Sequence, residues 1–187
     1  MVTENGRAEL RGLYKDPAQP LTIAVGQAFD LVSMPAAVGH AALSALRARR
    51  VRLGPVVADS RKSVMRVGFL VEPARGPGLA AGPRAARMGP ATEVGLRAAA
   101  LDERGQTREA AEAGHAETAA LRDWAGRLGG ALGVRVGGQG STATLPPLLP
   151  WRGWLHWLVP PGASAAFWTP AGALLSVLSE RSGARAL

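Results

Sequence analysis

The sequence predicts an α+β fold in which a mainly antiparallel sheet has helices packed on one face. Short runs of β-branched and apolar residues end at glycine or proline, as strands do. Other segments repeat apolar residues at three- and four-residue steps, which places those residues on one face of a helix. A long stretch rich in alanine, glutamate and arginine adds an alanine-rich helical or partly disordered insertion.

Residues 21–73 predict the central unit of this fold. Residues 21–25 and 29–34 are two extended runs, and the second stops at Pro35. A helix is predicted over 36–50, with arginines in its last turn, where cations suit the negative end of the helix dipole. Two further strands complete the unit, over 51–57 and 65–71, with a polar turn over 58–63 between them.

The middle of the chain changes character. Residues 74–90 carry repeated Gly-Pro signals and are predicted to be a loop. Two helices are predicted after it, over 91–103 and 107–128, although the weak apolar stripe leaves partial disorder open as an alternative. We therefore treat 74–119 as a low-complexity helical insertion within one domain spanning 1–187.

The C-terminal third predicts strands and one final helix. Residues 131–136 and 141–145 are predicted to form a hairpin around the glycine-rich turn 137–140, and 154–159 is a further strand. The last helix is predicted to have Thr169 as its N-cap and Pro170 as its first residue.

Composition restricts the class of protein. The net charge is +8, and two of the 22 basic residues, Lys15 and Lys62, are lysines. Such a balance indicates an anionic partner such as nucleic acid, but the arginine-favouring codons of a GC-rich genome explain it equally well. There is no cysteine, which excludes disulfides and thiolate metal sites. No apolar run of about 18 residues and no signal peptide is seen, so we expect a cytoplasmic protein without membrane contact.

Two stretches resemble a known family. The first stretch contains three short motifs: Gly26-x-x-Phe29-Asp30-x-x-x-x-Pro35-x-x-x-Gly39, Leu53-Gly54-Pro55-Val56 and Phe69-Leu70-Val71. The second stretch, near the C-terminus, contains Leu132-Gly133-Val134-Arg135, Gly138-Gln139-Gly140, Leu145-Pro146-Pro147, Arg152-Gly153 and Trp157. In order and spacing this set resembles the short actinobacterial proteins related to the N-terminal domain of bifunctional DNA primase/polymerases (prim-pol). The similarity covers about 14–73 and 121–178 and implies a domain shortened at its N-terminus.

The resemblance also implies what the site has lost. Nucleotidyl transfer uses carboxylates to hold two divalent metals, and the family's acidic positions correspond here to Ser33, Pro35 and Gly133. Asp30 is close to them in sequence, but three residues along a strand place it on the opposite face from Ser33. The three histidines have no metal-ligand spacing. We therefore expect no catalytic residues and no metal cofactor; Mg²⁺ or Mn²⁺ would be needed only if this register is wrong.

The expected function is a primase/polymerase-like protein that has lost nucleotidyl transfer and binds DNA or RNA through phosphate contacts. The alternatives are an active DNA primase/polymerase with a mis-registered site, and a non-catalytic interaction scaffold that binds a protein partner through 91–128. The candidate phosphate-binding residues are Arg47, Arg49, Arg50 and Arg52 at the end of the first helix, Arg61, Lys62 and Arg66 as an extension of that patch, and Arg135.

Two placements can be tested directly against a structure. Ser33 and Gly133 should lie on neighbouring strands, with Cβ and Cα, respectively, within about 15 Å, judged against strand spacing of roughly 4.8 Å. Trp151, Trp154 and Trp157 recur every third residue and could stack bases. On a strand, however, Trp154 and Trp157 point to opposite faces, so at least one of them is expected in the core.

Overall fold

The computed structural model describes residues 16–26, 29–61, 63–73, 113–127, 129–149, 153–162 and 168–183. The predictions for 1–15, for Lys62, for 74–112 and for Trp151 lie outside these ranges.

Seven strands in the described residues form two antiparallel sheets. A five-stranded sheet has the order β5-β2-β4-β3-β7, and a two-stranded sheet pairs β1 with β6. The strands are β1 (Leu21–Val25), β2 (Asp30–Pro35), β3 (Val56–Asp59), β4 (Arg66–Val71), β5 (Arg135–Gly137), β6 (Ser141–Leu145) and β7 (Leu155–Val159).

Three helices pack on one face of the larger sheet. They are α1 (Ala36–Ala48), α2 (113–127) and α3 (Ala171–Arg181), and a 3-10 turn over Gly129–Leu132 follows α2. Strand residues such as Val32 and Phe69 share one apolar cluster with residues from all three helices, among them Leu46, Trp124 and Leu174. No helix in the described part of the chain is long and apolar enough to cross a membrane.

The two-stranded sheet covers part of the other face. Ile23 of β1 and Leu145 of β6 share a second apolar cluster with Val57, Leu70 and Trp157, which alternate along their strands with residues facing the helices. The predicted α+β fold, with a mainly antiparallel sheet and helices on one face, is confirmed.

The predicted hairpin over 131–145 is wrong. β5 pairs with β2, and β6 pairs with β1, so the chain passes from one sheet to the other between them. The first part of the predicted strand is instead the 3-10 turn, and Gly133 has a left-handed φ of 65°. Pairing with β1 lets Ala143 and Leu145 bury their side chains against Ile23 and Val25, which a short hairpin with β5 would not do.

The third strand begins later than predicted. Residues 51–55 are not in the ladder, and β3 runs from Val56 to Asp59, into the predicted turn. Pro55 has no N–H to donate, although its carbonyl accepts a hydrogen bond from Leu70. Gly54 is in such close contact with the backbone of 168–169 that a Cβ there would lie 2.5 Å from the nitrogen of Thr169.

The last helix begins one residue later than predicted, with Pro170 as its N-cap and no side-chain cap hydrogen bond. Thr169 is fully buried and its hydroxyl accepts a hydrogen bond from the Gly54 N–H at 3.2 Å. The Thr169 N–H donates to the carbonyl of Leu70 at 2.9 Å. The threonine therefore connects two strand ends in place of capping α3.

Polar contacts attach α2 to the sheet. Asp30 is 0% exposed, and Nη2 of Arg122 donates to its Oδ1 at 2.8 Å and lies 2.8 Å from its Oδ2 in an ion pair. The Thr118 hydroxyl donates to the carbonyl of Glu72 at 2.8 Å, and Glu117 accepts from the N–H of Gly172 at 2.9 Å. Residues 113–119, placed within the insertion by the sequence, thus belong to a helix that contacts the sheet and α3.

Candidate functional site

One end of the larger sheet brings together residues that the sequence singled out separately. In the ladder Ser33 lies opposite Arg135 on β5, and Pro35 lies opposite Arg66 on β4. Directly opposed residues project to the same face, so Ser33, Arg66 and Arg135 share the face that lies away from the helices. The two-stranded sheet covers that face farther along, around Leu70.

The Arg66 guanidinium connects the two positions that the resemblance places in one site. Its Nη2 donates to the carbonyl oxygens of Ser33 and Gly133, both at 2.8 Å, and lies 3.3 Å from the Ser33 hydroxyl oxygen. Since one nitrogen atom contacts both residues, Ser33 and Gly133 lie well within the expected separation. Gly133 itself precedes β5 by two residues and is not part of the ladder.

The site is positively charged. Partial burial, and then the nearby charge of Arg135, lower the pKa of the Arg66 guanidinium from its ordinary value. The group stays a cation at neutral pH, because the ordinary pKa of arginine is far above 7. Arg135 is exposed, and no ion pair among the described residues includes Arg66 or Arg135. Two neighbouring cations that lack a carboxylate partner in this part of the chain favour an incoming anion.

Arg61, on the turn after β3, is held by an acid. Its Nε and Nη2 donate to the two carboxylate oxygens of Asp59 at 2.9 and 2.8 Å, and its backbone N–H donates to Oδ1 at 3.0 Å. This hydrogen bonding raises the pKa of Arg61. Much of the charge that Arg61 would offer to phosphate is therefore neutralised within the protein.

The predicted basic patch is divided into two separate groups. Arg66 lies opposite Pro35, where α1 begins, whereas Arg47 is in the last turn of this 13-residue helix. At 1.5 Å per residue the helix separates them by roughly 18 Å. The prediction that Arg61 and Arg66 extend a patch formed by Arg47, Arg49, Arg50 and Arg52 is therefore wrong in its geometry.

The arginines after α1 differ among themselves. Arg49 forms an ion pair with Glu180 of α3 and also contacts the hydroxyl of Ser176 at 3.4 Å. This contact lowers the pKa of the Glu180 carboxyl, with the hydrogen bond from Arg49 as the main cause. Arg47, Arg50 and Arg52 are exposed, and Arg50 has a left-handed φ of 56°. These three remain candidates for phosphate contact.

The tryptophans divide as expected. Trp157 is buried and its Nε1 donates to the carbonyl of Pro146 at 3.1 Å, so it belongs to the core. Trp154 is 73% exposed, and together with Ser60 and Arg61 it lines an open pocket of about 340 Å³ at the end of the sheet. Sequence reasoning did not find this pocket, because its two sides are more than ninety residues apart in the chain.

Candidate metal ligands do not converge in the described residues. Asp30 is buried towards the helices and paired with Arg122, on the opposite face from Ser33 as predicted. His115 and His156 each contact a backbone carbonyl through Nδ1, at 2.8 and 2.9 Å. Within these ranges no group of three or more histidine, cysteine or acidic residues is arranged to hold a metal ion.

Comparisons of the whole chain with protein families, with curated proteins and with solved structures find no match. The resemblance to the prim-pol family stays an expectation that rests on the residues and spacings given above.

Proposed function

We propose that this chain is a prim-pol-like protein that has lost nucleotidyl transfer and binds the phosphates of nucleic acid through Arg66 and Arg135. The observation that carries the proposal is the contact of the Arg66 guanidinium with both Ser33 and Gly133, two positions where the resemblance calls for metal-binding carboxylates. A cation thus lies where a polymerase of this family would need acidic side chains.

A cation in place of acidic side chains changes the chemistry that the site can perform. A pair of divalent metals needs several carboxylates nearby to offset its charge, whereas Ser33 and Gly133 supply a hydroxyl and backbone carbonyls. The positive charges of Arg66 and Arg135 disfavour metal ions and favour phosphate oxygens, which a guanidinium can hold through two parallel hydrogen bonds. The site is therefore suited to holding a nucleic-acid backbone without reacting with it.

Fluorescence anisotropy with a labelled single-stranded oligonucleotide at several salt concentrations tests the proposal. Arg135→Gln is the main variant because Arg135 is exposed, and losing one phosphate contact should make the slope of log affinity against log salt shallower by about 0.7. Arg66→Lys keeps the positive charge but loses the guanidinium that can donate two parallel hydrogen bonds to phosphate. It should therefore weaken binding with a smaller change in the slope of log affinity against log salt. Arg127→Gln on α2, an exposed arginine, is the matched control.

The outcomes distinguish the three functions considered. Unaltered binding by Arg135→Gln and Arg66→Lys, or no binding by the wild-type protein even at low salt, would overturn the proposal, and the second result would favour an interaction scaffold. A primer-extension assay with Mg²⁺ or Mn²⁺ should give no incorporation. Template-dependent synthesis that Asp30→Ala abolishes would instead establish an active enzyme with Asp30 in its site.

A further inference from the structure

The open pocket at the end of the sheet has an aromatic wall and a polar wall. Trp154 supplies an indole that is 73% exposed, and Arg61 and Ser60 supply polar groups. A tryptophan this exposed loses the hydrophobic stabilisation that burial would give it. The pocket has a volume of about 340 Å³, which is in the range of small-molecule sites.

Hydrogen bonds hold the walls of the pocket in place. The N–H and the hydroxyl of Ser60 both donate to the carbonyl of Trp154, at 2.6 and 2.9 Å. Arg61 is held by its three hydrogen bonds to Asp59, which do not use Nη1. The backbone of Trp154 and the guanidinium of Arg61 are thus positioned before any ligand arrives, which reduces the entropy lost on binding.

The pocket lies close to the phosphate site. Arg66 is opposite Asp59 in the ladder, Asp59 is opposite Leu155, and Trp154 immediately precedes Leu155. Trp154 immediately precedes β7, and β3 lies between β7 and β4, so at about 4.8 Å per strand the backbones of Arg66 and Trp154 are separated by roughly 10 Å. Asp59, which holds Arg61 in the pocket, lies directly opposite Arg66 on the same face, so a single strand of nucleic acid with a phosphate at Arg66 can extend a base over the end of the sheet to the pocket.

The geometry points to the Trp154 pocket as a stacking site for one unpaired nucleobase of the strand bound at Arg66 and Arg135, an inference that rests on the function proposed above. Indole faces stack on bases without regard to sequence, and the free Nη1 of Arg61 can donate to a base carbonyl. In a duplex the base faces are already stacked on their neighbours. The protein should therefore prefer single strands to duplexes at equal phosphate number.

Three labelled ligands of equal length separate the base from the phosphates: an oligothymidylate, an oligomer of abasic deoxyribose phosphates, and a duplex. Trp154→Ala should weaken oligothymidylate binding about tenfold and leave abasic binding unchanged, since stacking on one aromatic residue has roughly this effect. Trp154→Phe should restore most of the loss. Leu149→Ala, which truncates an exposed apolar residue beside Pro17, should change nothing.

Failure of this inference can be told apart from failure of the proposed function. Equal wild-type affinity for oligothymidylate and the abasic oligomer, with neither affected by Trp154→Ala, would overturn the stacking site and leave phosphate binding in place. A loss by Trp154→Ala that is the same for both ligands would also overturn it, because a base-stacking residue acts on the base. Absence of binding to all three ligands by the wild-type protein would overturn both proposals.

Discussion

Replacing Arg122 with alanine should destabilise the fold by about 3 kcal/mol. The Asp30 side chain is 0% exposed, and the Arg122 side chain, which is 33% exposed, forms an ion pair with it and donates a hydrogen bond to its Oδ1. Removing one partner of a buried ion pair costs about 3–5 kcal/mol, because the buried charge that remains loses its counter-ion. The lower end applies here because water can reach the side of the carboxylate that the shortened residue uncovers. In a chain of this size such a loss lowers Tm by roughly 6–12 °C.

Urea unfolding followed by circular dichroism measures this effect, and α2 itself provides the control. Arg127 pairs with Asp123 four residues earlier, but both side chains are mostly exposed, so Arg127→Ala should cost at most about 0.5 kcal/mol. The double variant Asp30→Leu, Arg122→Leu should recover much of the stability, because an apolar pair leaves no buried charge. If Arg122→Ala and Arg127→Ala are equally stable, the ion pair does not anchor α2 and the reasoning fails.

Substitutions at Gly39, Gly126 and Thr169 test the packing and hydrogen bonding of the fold. Gly39→Ala in α1 would put a Cβ 2.4 Å from Cβ of the buried Val67, and we expect a loss of about 1–3 kcal/mol. Gly126→Ala in α2 meets nothing within 4 Å and should gain up to about 1 kcal/mol; thermal unfolding of both decides whether space or helix propensity prevails. Thr169→Val leaves the buried Gly54 N–H without its acceptor and should cost about 1–3 kcal/mol, whereas Thr169→Ser should keep most of the stability. Equal Tm values for the valine and serine variants would contradict the role of the hydroxyl.

Local patterns were sufficient to predict most of the elements. The extended run ending at Pro35, and the periodic apolar positions after it, correspond to β2 and α1, which join without a loop. Such elements are visible in sequence because side-chain alternation and helical periodicity are set by near neighbours. The exceptions lie where distant backbone intervenes, as at Gly54 against Thr169, which holds residues before β3 outside the ladder.

Strand pairing was harder to predict than strand position. β6 follows β5 after a three-residue turn, and a hairpin is the usual outcome of that spacing. Burial of apolar side chains determines the pairing of β6. Leu145 is fully buried with β6 lying along β1, a strand more than a hundred residues earlier in the chain. No local signal carries that information.

The candidate site was partly predictable for a different reason. The expectation that Ser33 and Gly133 meet came from the resemblance, because their separation in sequence gives no pattern that would join them. Arg66 was named as a phosphate ligand on its charge, and Arg135 as a polar residue that the resemblance retains. That Arg66 donates to Ser33 and Gly133 depends on the register of β2, β4 and β5 together. A long-range register of this kind cannot be read from one sequence.

The direction of α1 determines how the basic residues can act. Because the helix starts beside Arg66 and runs about 18 Å along the opposite face of the sheet, Arg66 and the exposed Arg50 cannot contact the same phosphate. Residues separated by more than about 10 Å contribute additively to the binding free energy when they share no partner. Any contribution of Arg50 and Arg52 to binding should therefore add to that of Arg66 and Arg135 only for ligands long enough to pass around the sheet. Among the described residues, the candidate phosphate-binding arginines therefore form two separate groups, and Arg66 is the one that contacts both Ser33 and Gly133.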